Sequence, residues 1–212
     1  EFEVESIFVA DETLMPNFQA TGLKVELVSR KEMEKMTAFT SPSPVLGLVK
    51  KPRRQLETSD LRSHRFLVLD GLRDPGNLGT IIRTADWFGI HHILLSNDSV
   101  DVFNHKVLQS TMGSFFRTHF LYTDLPEFLH DFAPWRDEIP VYGAVLGGEP
   151  MKLCIEKENR LGALVIGSES HGISEEVLRF CSHQITIPGG GDTESLNAAV
   201  AASIILYEWQ SH

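Results

Sequence analysis

The sequence predicts an α/β fold: a mainly parallel sheet with helices on both faces, preceded by a small α/β domain. Three observations lead there. From Arg65 onward, short apolar runs alternate with helix-period segments, the pattern of strands joined by crossover helices. Runs such as "FLVLD" and "ALVIGS" are apolar throughout, as strands covered on both faces must be. At 212 residues the chain is long enough for one main core and a small appendage.

Taken in order, "SIFVA", "LKVELV" and "PVLGLV" read as strands and "RKEMEKM" as a short helix. They make residues 1–49 a small α/β unit. "KKPRRQLETSDLRSH" is polar and contains a proline, so residues 50–64 read as a basic linker. In the main domain, 65–212, "FLVLD" is a strand. "NLGTIIRTADWFG" is a helix with Leu78, Ile81, Ile82 and Ala85 on one stripe, stopped by Gly89. "HHILLS" is a strand, "NHKVLQSTMGS" helical, "THFLY" a strand, "LPEFLHDFA" a helix and "VYGAVL" a strand. "ALVIGS", the short helix "SEEVLRFC", the strand "QITIP" and the helix "SLNAAVAASIILYEWQ" complete the chain.

Composition is that of an ordinary globular protein, 42% hydrophobic and 23% charged. No apolar run is long enough for a membrane span, and the first residues lack a basic-then-apolar signal pattern, so a cytoplasmic protein is expected. The chain starts at Glu1 rather than Met, so the natural N-terminus is expected upstream. Cys154 and Cys181 stand alone, outside any metal or redox spacing, and read as two buried thiols; no metal is expected.

Net charge is −10 and uneven: residues 1–65 carry 10 basic and 10 acidic groups, residues 66–212 carry 9 and 19. An acidic body binds phosphate poorly without local basic contacts. Lys50, Lys51, Arg53 and Arg54 form the one basic cluster, readable as an RNA contact or as a solvated linker.

In parallel sheets, ligands bind beyond the C-terminal ends of strands. Three loops lie there: "DGLRDPGN", "GSESHG" and "PGGGDTES". Arg83 falls off the apolar stripe of its helix, beside Thr80 and Trp87; it is either a solvated arginine or part of a covered face. Asn77 sits at the helix start, where an Asx cap is the plain reading. Glu169 and His171 follow a buried strand, and His171 is a lone histidine with no evident partner. Ser195 and Asn197 open the last helix, where capping is again the plain reading. No Lys or Arg occurs from Gly189 to His212, while Asp192 and Glu194 make the glycine loop acidic. Such a loop repels phosphate and suits a ligand with a cationic end.

"LDGLRDPGNLGTIIRTADWFG", "LVIGSESHGIS" and "ITIPGGGDTESLNAAVAASIILYE", in that order, resemble the three signature motifs of the SpoU/TrmH family of RNA ribose 2′-O-methyltransferases, within the SPOUT superfamily. The resemblance covers the chain from about Arg65 onward, and residues 1–49 resemble the end of the small RNA-binding domain many members carry. It implies a deep C-terminal trefoil knot, an obligate homodimer and S-adenosylmethionine as cofactor. By motif position, Gly167, Ile187, Pro188, Ser195 and Leu196 would hold the cofactor, with Ala144, Val145 and Leu146 as a further wall. Asn77, Arg83, Glu169, Ser195 and Asn197 map onto the catalytic positions. Family proposals make the arginine a base; because guanidinium groups stay protonated near neutral pH, Arg83 is better read as a cation that clamps the adjacent phosphate and favours the ionised hydroxyl. Lys106 and Arg117 are candidate RNA contacts. The chain departs from many relatives at Gly189, where they carry Met. Ribosomal RNA is the expected substrate and transfer RNA an alternative. Two other readings are a non-catalytic RNA-binding or ribosome-assembly protein on the same fold, and a nicotinamide-dependent oxidoreductase. The latter is weakened by the absence of Gly-x-Gly-x-x-Gly after the first sheet strand.

Overall fold

The computed structural model describes residues 2–19, 21–51, 56, 58–135, 138–154 and 161–211. The chain divides into two compact units, Glu1–Arg54 and Gln55–His212. The first holds β1 (Val4–Val9), α1 (Pro16–Gln19), β2 (Lys24–Leu27), α2 (Arg30–Met36) and β3 (Val45–Val49). Its three strands lie in the order β2-β1-β3, with β1 parallel to β2 and antiparallel to β3. Ser29 and Glu32 form a reciprocal capping box that starts α2. Ile7, Val9 and Met33 are buried in this unit.

The second unit begins with α3 (Thr58–Leu61), and here the structure departs from a simple polar linker. Leu56 and Leu61 are buried in the core of this unit. Then come β4 (Arg65–Asp70), α4 (Pro75–Trp87), β5 (His92–Ser96), α5 (His105–Ser110), β6 (His119–Thr123), α6 (Leu125–Phe132), β7 (Val141–Pro150), α7 (Met151–Cys154), β8 (Gly162–Gly167), α8 (Glu175–Leu178), β9 (His183–Thr186) and α9 (Ala198–Gln210). The six strands β4–β9 form one parallel sheet in the order β6-β5-β4-β8-β7-β9.

Side chains alternate across the strands. Phe66, Val68, Leu94, Ala163 and Val165 face one side, where they pack with Leu125, Leu129 and Phe132 of α6 and Val177 of α8. Leu67, Leu69, Ile93, Leu95, Leu164 and Ile166 are buried on the other. There α9 packs on β8, and α4 packs on both α5 and α9. The stripe expected on α4 is the buried one, with Leu78, Ile81 and Ile82 at 0% exposure, each contributing about 2 kcal/mol. Gly79 is required on this stripe: a Cβ there would lie 2.4 Å from Ser110 Cβ and 2.8 Å from the Val107 carbonyl oxygen. No helix among the described residues is long and apolar enough to cross a membrane.

Candidate active site

The loops after β4, β8 and β9 converge at the C-terminal edge of the sheet through three ties. Asp70, the last residue of β4, accepts the Ser174 backbone N–H through Oδ2 at 2.7 Å, joining the first loop to the second. Asn77 donates its side-chain amide to Glu169 Oε1. Asn197 Nδ2 in turn donates to Asn77 Oδ1 at 3.0 Å. Glu169, Asn77 and Asn197, spread over 120 residues of sequence, therefore form one continuous polar chain.

The expected cap of α4 needs correcting. Asp74, not Asn77, is the N-cap: its Oδ1 accepts the Asn77 backbone N–H at 2.7 Å, with Pro75 in the first turn. The signal was present, since an acidic residue followed by proline is a cap followed by a pre-set first helical position. Capping by Asp74 leaves the Asn77 side chain free to bridge. Asn197 does both jobs. Its Oδ1 accepts from Ala199 N at 3.0 Å and Val200 N at 3.3 Å, capping α9, while its Nδ2 reaches Asn77.

The second loop folds back on itself. Ser168 and Gly172 exchange backbone hydrogen bonds of 3.1 and 2.9 Å, which presses the loop onto Gly167. A Cβ on Gly167 would stand 2.0 Å from Gly172 C. His171 sits exposed at the loop tip, its Nδ1 2.7 Å from Ser170 Oγ; it takes no part in the Glu169–Asn77–Asn197 chain.

Arg83 is exposed and has no hydrogen-bond or ion-pair partner among the described residues. Ser195 and Leu196 lie in the exposed loop before α9, with Leu196 46% exposed. Pro188 is exposed and Ile187 half-buried. The other expected wall takes a form the sequence did not disclose. Both Ala144 and Glu149 pair with Ile185 of β9, so residues 145–148 are extruded from β7. Val145 and Leu146 are in this extrusion, with Leu146 76% exposed. Among the described residues, surface cavities adjoin these loops. One, of about 330 Å³, is lined by Asp70, Arg73, Asp98, Glu169 and His171 among others. The second, of about 410 Å³, is lined by Gly147, Gly148, Glu149, Cys154 and His183 among others. Neither lining includes the eight residues expected to hold the cofactor, although Gly167 and Leu146 each precede a lining residue, Ser168 and Gly147.

The candidate RNA contacts fare unequally. Lys106 is exposed on α5. Arg117 is committed to Asp86, with Nε 3.1 Å from each carboxylate oxygen and an Nη2–Oδ2 contact of 2.5 Å. That arginine holds the Asp86 carboxyl below its usual range. Lys50 pairs with Glu3, and with Glu5 at 3.8 Å; Lys51 is exposed. Arg53 and Arg54 lie outside the described residues. Both cysteines are half-buried rather than buried, and burial raises the Cys154 pKa, which disfavours the reactive thiolate. Among the described residues no group of three or more His, Cys, Asp or Glu is arranged to hold a metal.

Comparison with known proteins follows the same motifs. The profile of the SpoU rRNA Methylase family matches residues 64–207. The 23S rRNA (guanosine(2553)-2′-O)-methyltransferase RlmP of Bacillus subtilis (strain 168) is 33% identical over 205 residues, 96% of this chain and 79% of the relative. A TrmH-family RNA methyltransferase structure from Porphyromonas gingivalis superposes with TM-score 0.83 at 33% identity, covering 98% of this chain and 82% of the other. An AdoMet-bound rRNA methyltransferase from Sinorhizobium meliloti superposes with TM-score 0.81 at 28% identity, over 100% and 81% of the two chains.

Proposed function

The chain belongs to the SpoU rRNA methylase family, and on that premise we propose that it methylates a ribose 2′-oxygen of RNA, with ribosomal RNA as substrate and S-adenosylmethionine as donor. The observation that carries this reading is the Glu169–Asn77–Asn197 chain, which joins the three motif loops at the edge of the sheet where a substrate arrives.

The surface around the third loop suits the cofactor. Its sulfonium and ammonium are cationic, and Asp192 and Glu194 stand on a loop whose remaining length to the C-terminus has no Lys or Arg. Exposed Leu196 and the extruded Leu146 offer apolar surface to a flat ring. Ile187, Pro188, Ser195 and the backbone at Gly167, with Ala144 and Val145, complete the residues that would hold it. When bound, S-adenosylmethionine supplies an electrophilic methyl carbon. The chain's own residues prepare the attacking oxygen. Arg83, a cation without a partner among the described residues, clamps the neighbouring phosphate and stabilises negative charge developing on the 2′-oxygen. The proton passes to a nearby oxygen, for which a phosphate oxygen of the RNA is one candidate. Asn77 and Glu169 hold the loops in register, and Asn197 fixes the start of α9, with Ser195 in the loop before it.

The reading extends to assembly. On the outer face of α4 and α9, Trp87 is 84% exposed, Tyr207 66%, Val200 47% and Ile204 39%, and the two helices meet where Thr84 Oγ1 lies 3.3 Å from Ser203 Oγ. An apolar face beside Arg83 fits a second copy of this chain, so the active unit is a homodimer. The passage from β8 across β7 to β9, followed by the return of α9 to β8, supports a C-terminal trefoil knot. Residues 1–49, with the basic stretch at Lys50, Lys51, Arg53 and Arg54, serve as the RNA-binding appendage to the 65–212 catalytic domain, and Lys106 adds a phosphate contact.

The test is transfer of labelled methyl from S-adenosylmethionine to ribosomal RNA from cells lacking the protein, with Arg83→Ala in parallel. Alkali-resistant label at one linkage, lost with the variant, supports the reading. RNA binding without transfer would favour the non-catalytic alternative.

A further inference from the structure

We propose that the 330 Å³ cavity beside Glu169 receives the base of the methylated nucleotide and that its chemistry selects guanine. This rests on the methyltransferase reading and adds the base to it. The cavity lies at the C-terminal ends of β4 and β8 and shares Glu169 with the polar chain of the active site. A base entering it brings its own ribose to that chain.

The lining decides what fits. It contains three carboxylates, from Asp70, Asp98 and Glu169, against one guanidinium, that of Arg73. Arg73 is already paired, its Nη2 lying 3.1 Å from Asp98 Oδ2. The side-chain hydroxyl of Ser96 donates to the other oxygen of Asp98 at 2.7 Å, which ties Asp98 to the end of β5. A phosphate meets net repulsion here. A neutral ring with N–H donors meets acceptors. Asp70 uses Oδ2 for the Ser174 N–H, while its Oδ1 has no partner among the described residues. A carboxylate accepts two parallel N–H bonds, and an unstacked base is read on its Watson–Crick edge. Guanine is the one standard base with two adjacent donors there, N1–H and N2–H₂, next to the O6 acceptor. Asp70 takes the donors, and Arg73, held by Asp98, offers its remaining N–H groups to O6. Uracil presents a single N–H between two carbonyls, which an acceptor-rich wall disfavours.

The experiment uses the full chain, ribosomal RNA from cells lacking it, and S-adenosylmethionine with a deuterated methyl. Digestion to nucleosides and mass spectrometry identify the base that carries the label; a transcript with inosine at the mapped position then removes the N2 amine. The expected result is label on guanosine, with kcat/KM lowered about tenfold by inosine, the size of one charge-assisted hydrogen bond. Asp70→Asn brings the guanosine and inosine substrates to near equality. Arg73→Gln, at an exposed side chain that the fold does not need, raises KM for the RNA while leaving S-adenosylmethionine binding unchanged. Label on uridine, cytidine or adenosine, or equal rates with guanosine and inosine in the wild type, overturns the proposal. Absence of transfer to any RNA with the cofactor bound overturns the methyltransferase reading instead.

Discussion

Asn77 accepts a hydrogen bond from Asn197 at 3.0 Å while donating its own amide to Glu169, so one side chain couples the start of α4 to both other loops of the site. The amide does this because it offers a donor and an acceptor on separate atoms, Nδ2 toward Glu169 and Oδ1 toward Asn197. Asn77→Asp replaces the donor by a second carboxylate against Glu169, and the two repel. Methyl transfer is expected to fall about a hundredfold, the scale of losing one positioned polar group. Because Asp74 caps α4 and Asn77 does not, the helix stays formed. Initial rates and a thermal melt, measured together, check both halves; a melting temperature that collapses with the rate would mean that Asn77 is structural.

Arg83 is exposed and unpaired among the described residues, so its replacement costs the fold little. Arg83→Lys keeps the charge and loses the bidentate fork. If the side chain clamps a phosphate, Lys retains a few per cent of the wild-type rate and Ala about a thousandth, by the magnitude of electrostatic stabilisation at a reacting oxygen. Equal rates for Lys and wild type would remove the clamp.

The apolar runs of β4, β5 and β8, the period of α4 and the three motif loops were all legible in the sequence because each is local. Asn77, Glu169 and Asn197 were legible as site residues through the motifs. Their hydrogen-bonded connection was not, since it depends on strand order bringing residues 92 and 120 positions apart together. The extrusion of residues 145–148 was hidden for a similar reason: it is visible only once Ala144 and Glu149 are both paired with Ile185. Leu56 and Leu61 were hidden in another way. Two leucines in a polar stretch carry no periodicity, so their burial had no pattern to announce it.

Gly167 lies under the folded-back second loop, where a Cβ would be 2.0 Å from Gly172 C, 2.2 Å from its oxygen and 2.2 Å from Ile173 N. All three atoms are backbone, so nothing flexible can yield. Gly167→Ala must push the loop out, breaking the Ser168–Gly172 pairing, at a cost of about 2–4 kcal/mol. The measurement is chemical denaturation at constant m-value; a change below about 0.5 kcal/mol would mean that the loop relaxes freely.

His92 begins β5 and lies between His64 and His119, with ring centroids 4.8 and 5.5 Å away. Burial, then the charges of the neighbouring imidazoles, lowers its pKa from 6.5 to about 4. The folded protein therefore binds fewer protons at His92 than the unfolded chain. Stability from the neutral ring is fully present above pH 6.5 and is lost as pH falls from 6.5 through 4. With the ring half exposed, solvent screening limits the effect to on the order of 1 kcal/mol. His92→Phe keeps the stacking and removes the proton, so its denaturation midpoint changes less than wild type's across that window. A parallel pH profile for the two proteins would show that the histidine stack does not contribute.

Trp87 and Tyr207 leave large aromatic area in water, 84% and 66% exposed on neighbouring helices. Burying such rings contributes about 2 kcal/mol each, enough to make them anchors of an interface. If a second copy covers this face, Trp87→Lys and Tyr207→Lys place desolvated charges at its centre. The double substitution is then expected to weaken dimerisation by at least a hundredfold, near 3 kcal/mol. Because both side chains point away from the core, the monomer should keep its melting cooperativity. Light scattering across a dilution series reads the mass, and methyl transfer on the same samples reads whether the site needs the partner. A wild-type protein that is monomeric throughout, yet fully active, would leave the aromatic face without this role and make Arg83 act within a single chain.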